Sequence, residues 1–114
     1  MTDSQAQLLD RVAKAMGYPT AVPHDDNPPG RLYTGNGGTL LLTWSIDSAA
    51  KCLPPGWLWQ RHNDEFTSTY KWHAFGPEGT DLYVCVHDTG REITDRYTLA
   101  AIAWESQAKD TTHA

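Results

Sequence analysis

The sequence predicts an α+β fold in which a three-stranded antiparallel β-meander packs against three helices, in the order α-α-β-β-β-α. Three patterns support this prediction. Apolar residues recur at spacings of three and four near the N-terminus, side chains alternate with period two between residues 57 and 87, and an alanine-rich apolar segment follows. The 114 residues are expected to form a single domain, residues 1–114, because chains of this length usually fold around one core.

The first predicted helix covers residues 5–16, where the apolar residues form one stripe. Asp3 or Ser4 is the expected N-cap, since a short polar side chain can accept a hydrogen bond from the first free amides. Gly17 stands where a left-handed residue commonly ends a helix. The stripe is therefore expected to face the hydrophobic core.

Residues 20–38 are rich in proline and glycine and are predicted to form a long irregular loop, which in a compact domain is either mobile or functional. The glycine cluster at residues 35–38 is interpreted as a turn, because a phosphate-binding loop would place Lys-Ser or Lys-Thr after its glycines. Residues 39–43 then form a short buried strand. This strand either extends the meander as a fourth member or packs beneath the sheet.

The second predicted helix begins at Ser45, whose hydroxyl can cap the free amides of the first turn. Asp47 lies in that turn, where the helix dipole favours a negative charge. Ile46 is expected on its apolar face. Pro54 and the residues after it end the helix, because proline lacks the amide hydrogen that a further turn requires. The chain then enters a strand at Trp57.

The three predicted strands cover residues 57–62, 66–75 and 82–87, and Asn63-Asp64 is interpreted as the two-residue turn of the first hairpin. This arrangement puts Trp57 and Trp59 on one face with Tyr70 and Trp72, which is the expected core face. Residues of the opposite parity are expected to face solvent. The register of the second hairpin is left open, because a slip of one residue would exchange the two faces of the third strand.

The last predicted helix covers residues 95–108 and is capped by Thr94 or Asp95. It is apolar around much of its circumference, and its many small residues would allow close packing on the sheet. Residues 109–114 are expected to form a frayed tail.

Composition favours a cytoplasmic protein that does not bind nucleic acid. The formal net charge is −5, and the nine Lys and Arg residues are scattered, whereas nucleic-acid-binding proteins usually carry a basic cluster. No apolar run is long enough to span a membrane, and the N-terminus lacks the features of a signal peptide. Cys52 and Cys85 are expected to be free thiols buried as small apolar residues; a disulfide between them is the alternative.

Catalytic and metal-binding patterns are not found in the sequence. His62, His73 and His87 lack the spacing that zinc sites favour, and they are interpreted as solvated histidines of the strands. Neither cysteine is flanked by the base that a nucleophile needs. The sequence therefore predicts a protein that is not an enzyme and has no cofactor or metal site.

The remaining functional hypothesis is protein binding through exposed aromatic residues, which interfaces favour. Against this hypothesis, aromatic residues in a small domain often belong to the core. The candidate interaction surface consists of Tyr33, Trp44, Lys71, His73 and Tyr83.

Residues 45–57 resemble a motif of small bacteriophage and prophage proteins, Ser-Leu-Asp-Ala-Ala-x-x-Leu-Val-Pro-Glu-Gly-Trp. The positions that match in register are Ser45, Asp47, Ala49, Pro54, Gly56 and Trp57. Pro55 departs from the pattern, which has Glu there. Residues 10–18 and 97–104 are similar to the opening and closing helices of that group. The resemblance implies a phage origin and a layout like that of the phage α–β–α sandwich domains, and it implies no activity, cofactor or catalytic residue.

These observations together predict a non-enzymatic phage accessory protein that binds a host or phage protein in the host cell cytoplasm. Host machinery or a host defence component, such as a CRISPR effector, is the expected target. The alternatives are a small-ligand or nucleotide-binding protein that uses residues 20–38, and a minor component of the virion. The oligomeric state is left open between a monomer and a homodimer.

Overall fold

A computed structural model describes residues 1–22, 29–64, 66 and 69–112. The helices are α1 (Asp3–Ala15), α2 (Ile46–Ala50) and α3 (Glu92–Thr112). The strands are β1 (Thr20–Val22), β2 (Gly30–Gly35), β3 (Gly38–Thr43), β4 (Leu58–Asp64), β5 (Thr69–Phe75) and β6 (Tyr83–His87). The fold is α+β, with one antiparallel sheet ordered β1-β2-β3 and a second ordered β4-β5-β6. The α+β class is confirmed, whereas the prediction of a single meander is wrong.

Helix α1 begins two residues before its predicted start. Its N-cap is Thr2, whose hydroxyl accepts a hydrogen bond from the Gln5 amide while the Gln5 side chain accepts one from the Thr2 amide. The prediction of Asp3 or Ser4 as the cap is therefore wrong. Gly17 has a φ of +96°, as expected of the left-handed residue after a helix.

The first sheet contains strands in a region predicted to be irregular. Strands β1 and β2 pair antiparallel, and β2 pairs with β3 through a two-residue turn. Asn36 and Gly37 occupy that turn with φ values of 46° and 75°, the left-handed conformation that a tight hairpin requires. The prediction of a turn at residues 35–38 is confirmed. The prediction of a long irregular loop at residues 20–38 is wrong for the residues that form β1 and β2. The remaining residues of that loop, 23–28, lie outside the described part of the chain.

Helix α2 forms where the second helix was predicted, and in chain order it lies between the first sheet and the second sheet. The Ser45 hydroxyl accepts a hydrogen bond from the Ser48 amide at 3.2 Å, which confirms Ser45 as the N-cap. Ile46 is exposed rather than part of an apolar core face, so that prediction is wrong. Trp57 follows the turn and is buried.

Strand β4 continues through Asn63 and Asp64, so the predicted turn there is wrong. The register pairs Trp59 with Ala74 and Arg61 with Trp72. This register is displaced from the predicted one by an even number of residues, and each residue therefore stays on its predicted face. The predicted core face does hold the buried Trp72.

Two residues predicted for the core, Trp59 and Tyr70, are in fact 45% and 46% exposed. Helix α3 packs against β5 and β6 and reaches β4 through the Arg96 guanidinium, which lies 4.1 Å from the centroid of the Trp59 ring. The side of Trp59 that α3 does not cover faces solvent. Parity along a strand identifies the face, but the position of the covering helix decides which residues on it are buried.

Helix α3 begins at Glu92 and continues to Thr112, so both predicted ends are wrong. Asp95 is not a cap. Its buried carboxylate accepts hydrogen bonds from Trp72 Nε1 at 3.2 Å and from Thr89 Oγ1 at 2.7 Å. The predicted tail at residues 109–112 is helical, and residues 113–114 lie outside the described part.

Helix α3 contributes to two separate hydrophobic clusters. Tyr97, Ala100 and Ala101 pack with α1 and the first sheet, whereas Leu99 and Ala103 pack with the second sheet. Cys52 belongs to the first cluster as a free, buried thiol. Cys85 is also free but exposed, so its predicted burial is wrong. Among the described residues, no helix has the length and apolar character needed to cross a membrane.

Candidate functional site

The outward side of the second sheet carries the most continuous group of exposed aromatic and basic side chains in the described structure. The opposite side of this sheet packs on α3, so strand alternation turns these residues to solvent. We call this group the outer patch. Its described members are Leu58, Gln60, His62, Lys71, His73, Phe75, Tyr83, Cys85 and His87.

His73 is the centre of the outer patch. Its imidazole lies 5.7 Å from the Tyr83 ring, 6.4 Å from the Phe75 ring and 6.1 Å from the His62 ring, measured between centroids. The Phe75 and Tyr83 rings are themselves 5.3 Å apart. Such spacings are typical of interacting aromatic pairs, so the four rings form one contiguous cluster.

A hydrogen bond between His73 Nδ1 and the Tyr83 hydroxyl fixes two of these rings. Burial lowers the pKa of His73, and the nearby His62 and Lys71 lower it further. Burial raises the pKa of Tyr83, and a hydrogen bond with Cys85 raises it further. Both effects favour a neutral imidazole that accepts the phenol hydrogen at neutral pH, so the cluster is preorganised without a buried charge.

The outer patch exposes large apolar and aromatic side chains on one face of the sheet. Leu58 is 73% exposed, Phe75 43% and Tyr83 49%, and Leu58 lies directly opposite Phe75 in the β4–β5 register. Contiguous apolar surface of this kind commonly marks a binding site for another macromolecule. Phe75 and Leu58 thus add an apolar centre to the predicted surface.

The charge of the outer patch differs from that of the whole chain. Lys71 is its only formally charged member among the side chains described on this face, and two of its three histidines belong to the ring cluster. The chain as a whole has a net charge of −5. A partner surface with carboxylates around an apolar anchor would match the outer patch in charge.

Three residues of the predicted interaction surface, Lys71, His73 and Tyr83, lie together in the outer patch. Trp44 lies elsewhere. Its ring stacks on Tyr97 at 5.7 Å, and its half-buried side chain lines a separate cavity. The five predicted residues therefore do not form one surface.

Tyr33 is a core residue, and its prediction as a surface residue is wrong. It is 1% exposed, and its hydroxyl donates a 2.6 Å hydrogen bond to Asp10 Oδ1. Arg31 Nε donates to the same oxygen at 2.9 Å. Burial raises the pKa of the Tyr33 phenol, so it remains a hydrogen-bond donor. The sequence alone does not reveal that Asp10, from α1, provides this buried tyrosine with an acceptor.

The histidines lie closer together than the sequence indicated. The sequence predicts that His87 lies about four residues along the sheet from His73. In the structure, Lys71 pairs with His87 and His73 pairs with Cys85, so this separation is two residues. Even so, among the residues described, no group of three or more His, Cys, Asp or Glu side chains could hold a metal ion.

A second surface, which the sequence interpretation assigned to the core, surrounds Trp59. The Arg96 guanidinium lies 4.1 Å from the Trp59 centroid and 5.1 Å from the Trp72 centroid, and the Arg61 guanidinium lies 4.9 Å from the Tyr70 centroid. Each arginine therefore has aromatic contacts within the chain. These contacts anchor α3 to β4 and β5, and we interpret this surface as structural.

A cavity of about 690 Å³ lies where the N-terminal parts of α1 and α3 approach Trp44. Leu8, Ile46 and Ile93 give it apolar walls, and Arg91 provides a cation at its edge. Its volume is within the range of small-molecule sites, roughly 300–1,000 Å³. None of the described residues that line it comes from residues 20–38, where the sequence placed a ligand site.

Comparison of the chain with protein-family models, curated proteins and solved structures finds no significant match. The function must therefore be argued from the geometry and chemistry of the chain itself.

Proposed function

We propose that the chain is a non-enzymatic protein that acts by binding another protein through the outer patch. The observation that carries this proposal is the exposed cluster of Phe75, Tyr83 and His73 beside Leu58 on one open sheet face. Aromatic residues dominate the energetics of protein interfaces because they bury much area at low conformational cost. The hydrogen bond between His73 and Tyr83 holds two of these rings before a partner arrives.

The chemistry of the outer patch also selects the kind of partner. A hydrophobic side chain of the partner would sit against Leu58 and Phe75, and a carboxylate beside it would approach Lys71. Opposite charges at the edge of an interface mainly accelerate association and exclude partners of the wrong charge. The proposed partner is therefore a protein surface with an apolar centre and an acidic rim.

The absence of a catalytic role is part of the proposal. Burial raises the pKa of the Cys52 thiol to about 12, which keeps this thiol protonated at neutral pH and removes its nucleophilic form. Its Sγ instead donates a hydrogen bond to the carbonyl of Ser48 in α2 at 3.2 Å. Cys52 is thus suited to packing rather than to covalent chemistry.

The resemblance of residues 45–57 to small phage proteins supplies the proposed biological setting. In that setting the chain is an accessory protein of a phage, and its target is a protein of the bacterial host, either part of the cell's machinery or part of a defence system. The outer patch is the surface proposed to contact this target.

The test is affinity capture with matched variants. The tagged chain is incubated with lysate of a bacterial host, and captured proteins are identified by mass spectrometry. Phe75→Asp puts a carboxylate at the centre of the outer patch and is expected to abolish capture of the specific partner. Leu41→Asp introduces the same charge at a similarly exposed apolar residue of the first sheet and is expected to leave capture unchanged.

Biolayer interferometry with the purified partner then measures affinity, with circular dichroism confirming that both variants fold. The proposal predicts at least a tenfold weaker affinity for Phe75→Asp, which corresponds to about 1.4 kcal/mol. Equal affinities of the two variants would show that the partner binds elsewhere. Repeated capture of nothing above background would count against protein binding as the function.

A second candidate function is the binding of a small molecule in the cavity beside Trp44. The observation that favours this function is the volume of the cavity, together with the half-buried Trp44 indole and the Arg91 guanidinium in its lining. An aromatic anion such as a nucleotide could stack on the indole and pair with the guanidinium. Thermal shift measurements against nucleotides and metabolites test this candidate, since a ligand at 100 times its dissociation constant stabilises a protein by about 2.7 kcal/mol. A shift that Arg91→Gln removes would favour it over protein binding.

A further inference from the structure

Strand β6 is an edge of the second sheet, with β5 on one side only. The Gly76 amide donates to the Leu82 carbonyl at 2.8 Å, and the Asp88 amide donates to the Tyr70 carbonyl at 3.0 Å. The even-numbered residues of this segment therefore direct their backbone groups toward β5. Because that direction alternates along an antiparallel strand, the N–H and C=O groups of the odd-numbered residues point to the open edge.

The odd-numbered residues of β6 are Tyr83, Cys85 and His87, and all three are exposed. Each has one N–H donor and one C=O acceptor at the edge. Within the part of the chain that the structure describes, no strand lies beside them. The edge thus presents a regular ladder of unused backbone groups.

Each of the other sheet edges carries a feature that hinders strand addition over part of its length, and β6 carries none of these features. Strand β1 is three residues long and follows Pro19, and β4 carries the charged Arg61. On the open side of β3, the Thr43 amide donates to Ser48 Oγ at 3.1 Å and the Thr43 carbonyl accepts from the Tyr97 hydroxyl at 2.5 Å. Strand β6, by contrast, contains no Lys, Arg, Pro or Gly, the residues with which proteins commonly block strand addition.

We propose that β6 pairs antiparallel with β6 of a second copy of the chain, around a two-fold axis at Cys85, to form a six-stranded sheet. In this register, the outward backbone N–H and C=O groups of Cys85 face those of Cys85 in the second copy. The outward backbone groups of Tyr83 face those of His87 in the second copy. Every edge donor of these three residues then meets an edge acceptor. No other register of five-residue strands satisfies all of them.

The side chains are compatible with the same register. Tyr83 of one copy lies opposite His87 of the other on the outer face, and Val84 lies opposite Val86 on the inner face. These residues include no Lys, Arg, Asp or Glu, so no pair of like formal charges opposes association. A self-complementary strand of this kind fits a second copy of itself because the two-fold axis repeats each favourable pair.

The dimer goes beyond the proposed function and does not depend on it. A two-fold axis perpendicular to the sheet places both outer patches on the same side of the six-stranded sheet. On that side, Tyr83 of each copy lies next to the outer patch of the other copy. The assembly would therefore present one continuous binding surface of doubled width.

Sedimentation equilibrium under reducing conditions tests the oligomeric state. The wild-type chain is expected to show twice the 12.7 kDa mass of one copy, with dissociation on dilution. Cys85→Lys places two like charges face to face at the axis, and Cys85→Pro removes an outward amide while leaving the β5–β6 ladder intact. Both variants are expected to be monomeric.

Two controls are expected to remain dimeric. Cys85→Ser keeps the backbone groups, and Gln60→Lys adds the same charge on the same face of the sheet but on β4. A wild-type chain that is monomeric at every concentration would overturn the proposal. A dimer that persists in both Cys85→Lys and Cys85→Pro would overturn it as well.

Amide hydrogen exchange followed by NMR locates the interface and reports folding. In the wild-type dimer, the amides of Tyr83, Cys85 and His87 are expected to be protected, and in Cys85→Lys they are expected to exchange rapidly. Val84 and Val86 bond to β5 and should stay protected in both, which shows that the variant is folded. A dimer with rapidly exchanging odd-numbered amides would mean that another surface mediates association, and would contradict the proposal.

Discussion

The two sheets share helix α3 but are completed in different ways. On the first sheet, buried polar groups of neighbouring elements join the apolar contacts: Tyr33 is hydrogen-bonded to Asp10 of α1, and the Tyr97 hydroxyl of α3 donates to the Thr43 carbonyl. On the second sheet, α3 covers one face only in part. The other face holds the outer patch, and Trp59 remains 45% exposed on the partly covered face.

Under the proposed function, this difference separates stability from recognition within one small chain. The inward side chains of the first sheet satisfy their polar atoms internally, which suits a fixed scaffold. The second sheet keeps aromatic rings and backbone edge groups available to other molecules. The aromatic surface that stays exposed, rather than the number of aromatic residues, is the reason for assigning the proposed contact to the second sheet.

The largest expected effect contrasts the two faces of β5. Trp72→Ala removes a buried indole and its hydrogen bond to Asp95, and is expected to lower the free energy of unfolding by about 3–5 kcal/mol. Phe75→Ala removes a ring of the outer patch and is expected to cost only about 0.5–1.5 kcal/mol. Urea denaturation monitored by circular dichroism measures both. Similar losses for the two variants would contradict the division into a core face and a recognition face.

A smaller effect tests the polar attachment of α3 to the first sheet. Tyr97→Phe removes a hydroxyl that contacts the Thr43 carbonyl at 2.5 Å and Ser48 Oγ at 2.7 Å. Because both partners then lose a buried hydrogen bond, the variant is expected to lose about 1–3 kcal/mol. Tyr70→Phe, on the partly covered face of the second sheet, is the matched control and should change stability by less than about 0.5 kcal/mol. Chemical denaturation of the pair measures this difference directly, and its absence would count against the buried attachment.

The smallest effect concerns pH and the contact between α1 and α3. Arg11 donates hydrogen bonds to both carboxylate oxygens of Glu105, at 2.7 and 2.8 Å, which lowers the pKa of Glu105. A lowered carboxyl pKa gives stability that is present above the ordinary glutamate pKa of about 4.3 and is lost as the pH falls through the folded-state pKa. Both side chains are more than a third exposed, so solvent screening limits the contribution to about 0.2–1 kcal/mol.

Arg11→Gln is therefore expected to be less stable than the wild type at neutral pH and equally stable in strong acid. Urea denaturation across that pH range provides the measurement. Lys14→Gln is a control on the same helix, because it removes one positive charge without removing the hydrogen bonds to Glu105. A difference between Arg11→Gln and wild type that does not vary with pH would show that the ion pair is not its cause.

The local features of the fold could be predicted from the sequence because short-range chemistry determines them. The Ser45 cap, the left-handed Gly17 and the hairpin turn at Asn36 all depend on the conformations of a few neighbouring residues. The assignment of second-sheet residues to its two faces also held, since parity survives an even displacement of register. These are the levels at which a single sequence is informative.

The sheet count and the burial of particular aromatic residues depend on contacts between distant segments. Strands β1 and β2 lie in proline- and glycine-rich sequence, and only the pairing of β1 with β2 and of β2 with β3 makes them strands. Tyr33 is buried because Asp10 of α1 accepts its hydroxyl, and Trp59 is exposed because α3 covers β5 and β6. The sequence interpretation correctly placed Lys71, His73 and Tyr83 on one face. It did not include Leu58, which adjoins them in the structure.

The position of α3 along the chain has a consequence for synthesis. Both sheets precede α3 in chain order, and each buries its inner face against that helix. While the ribosome is still adding residues 92–112, the inner faces of the nascent sheets lack their cover. Neither sheet can therefore complete its hydrophobic core before this segment emerges from the exit tunnel.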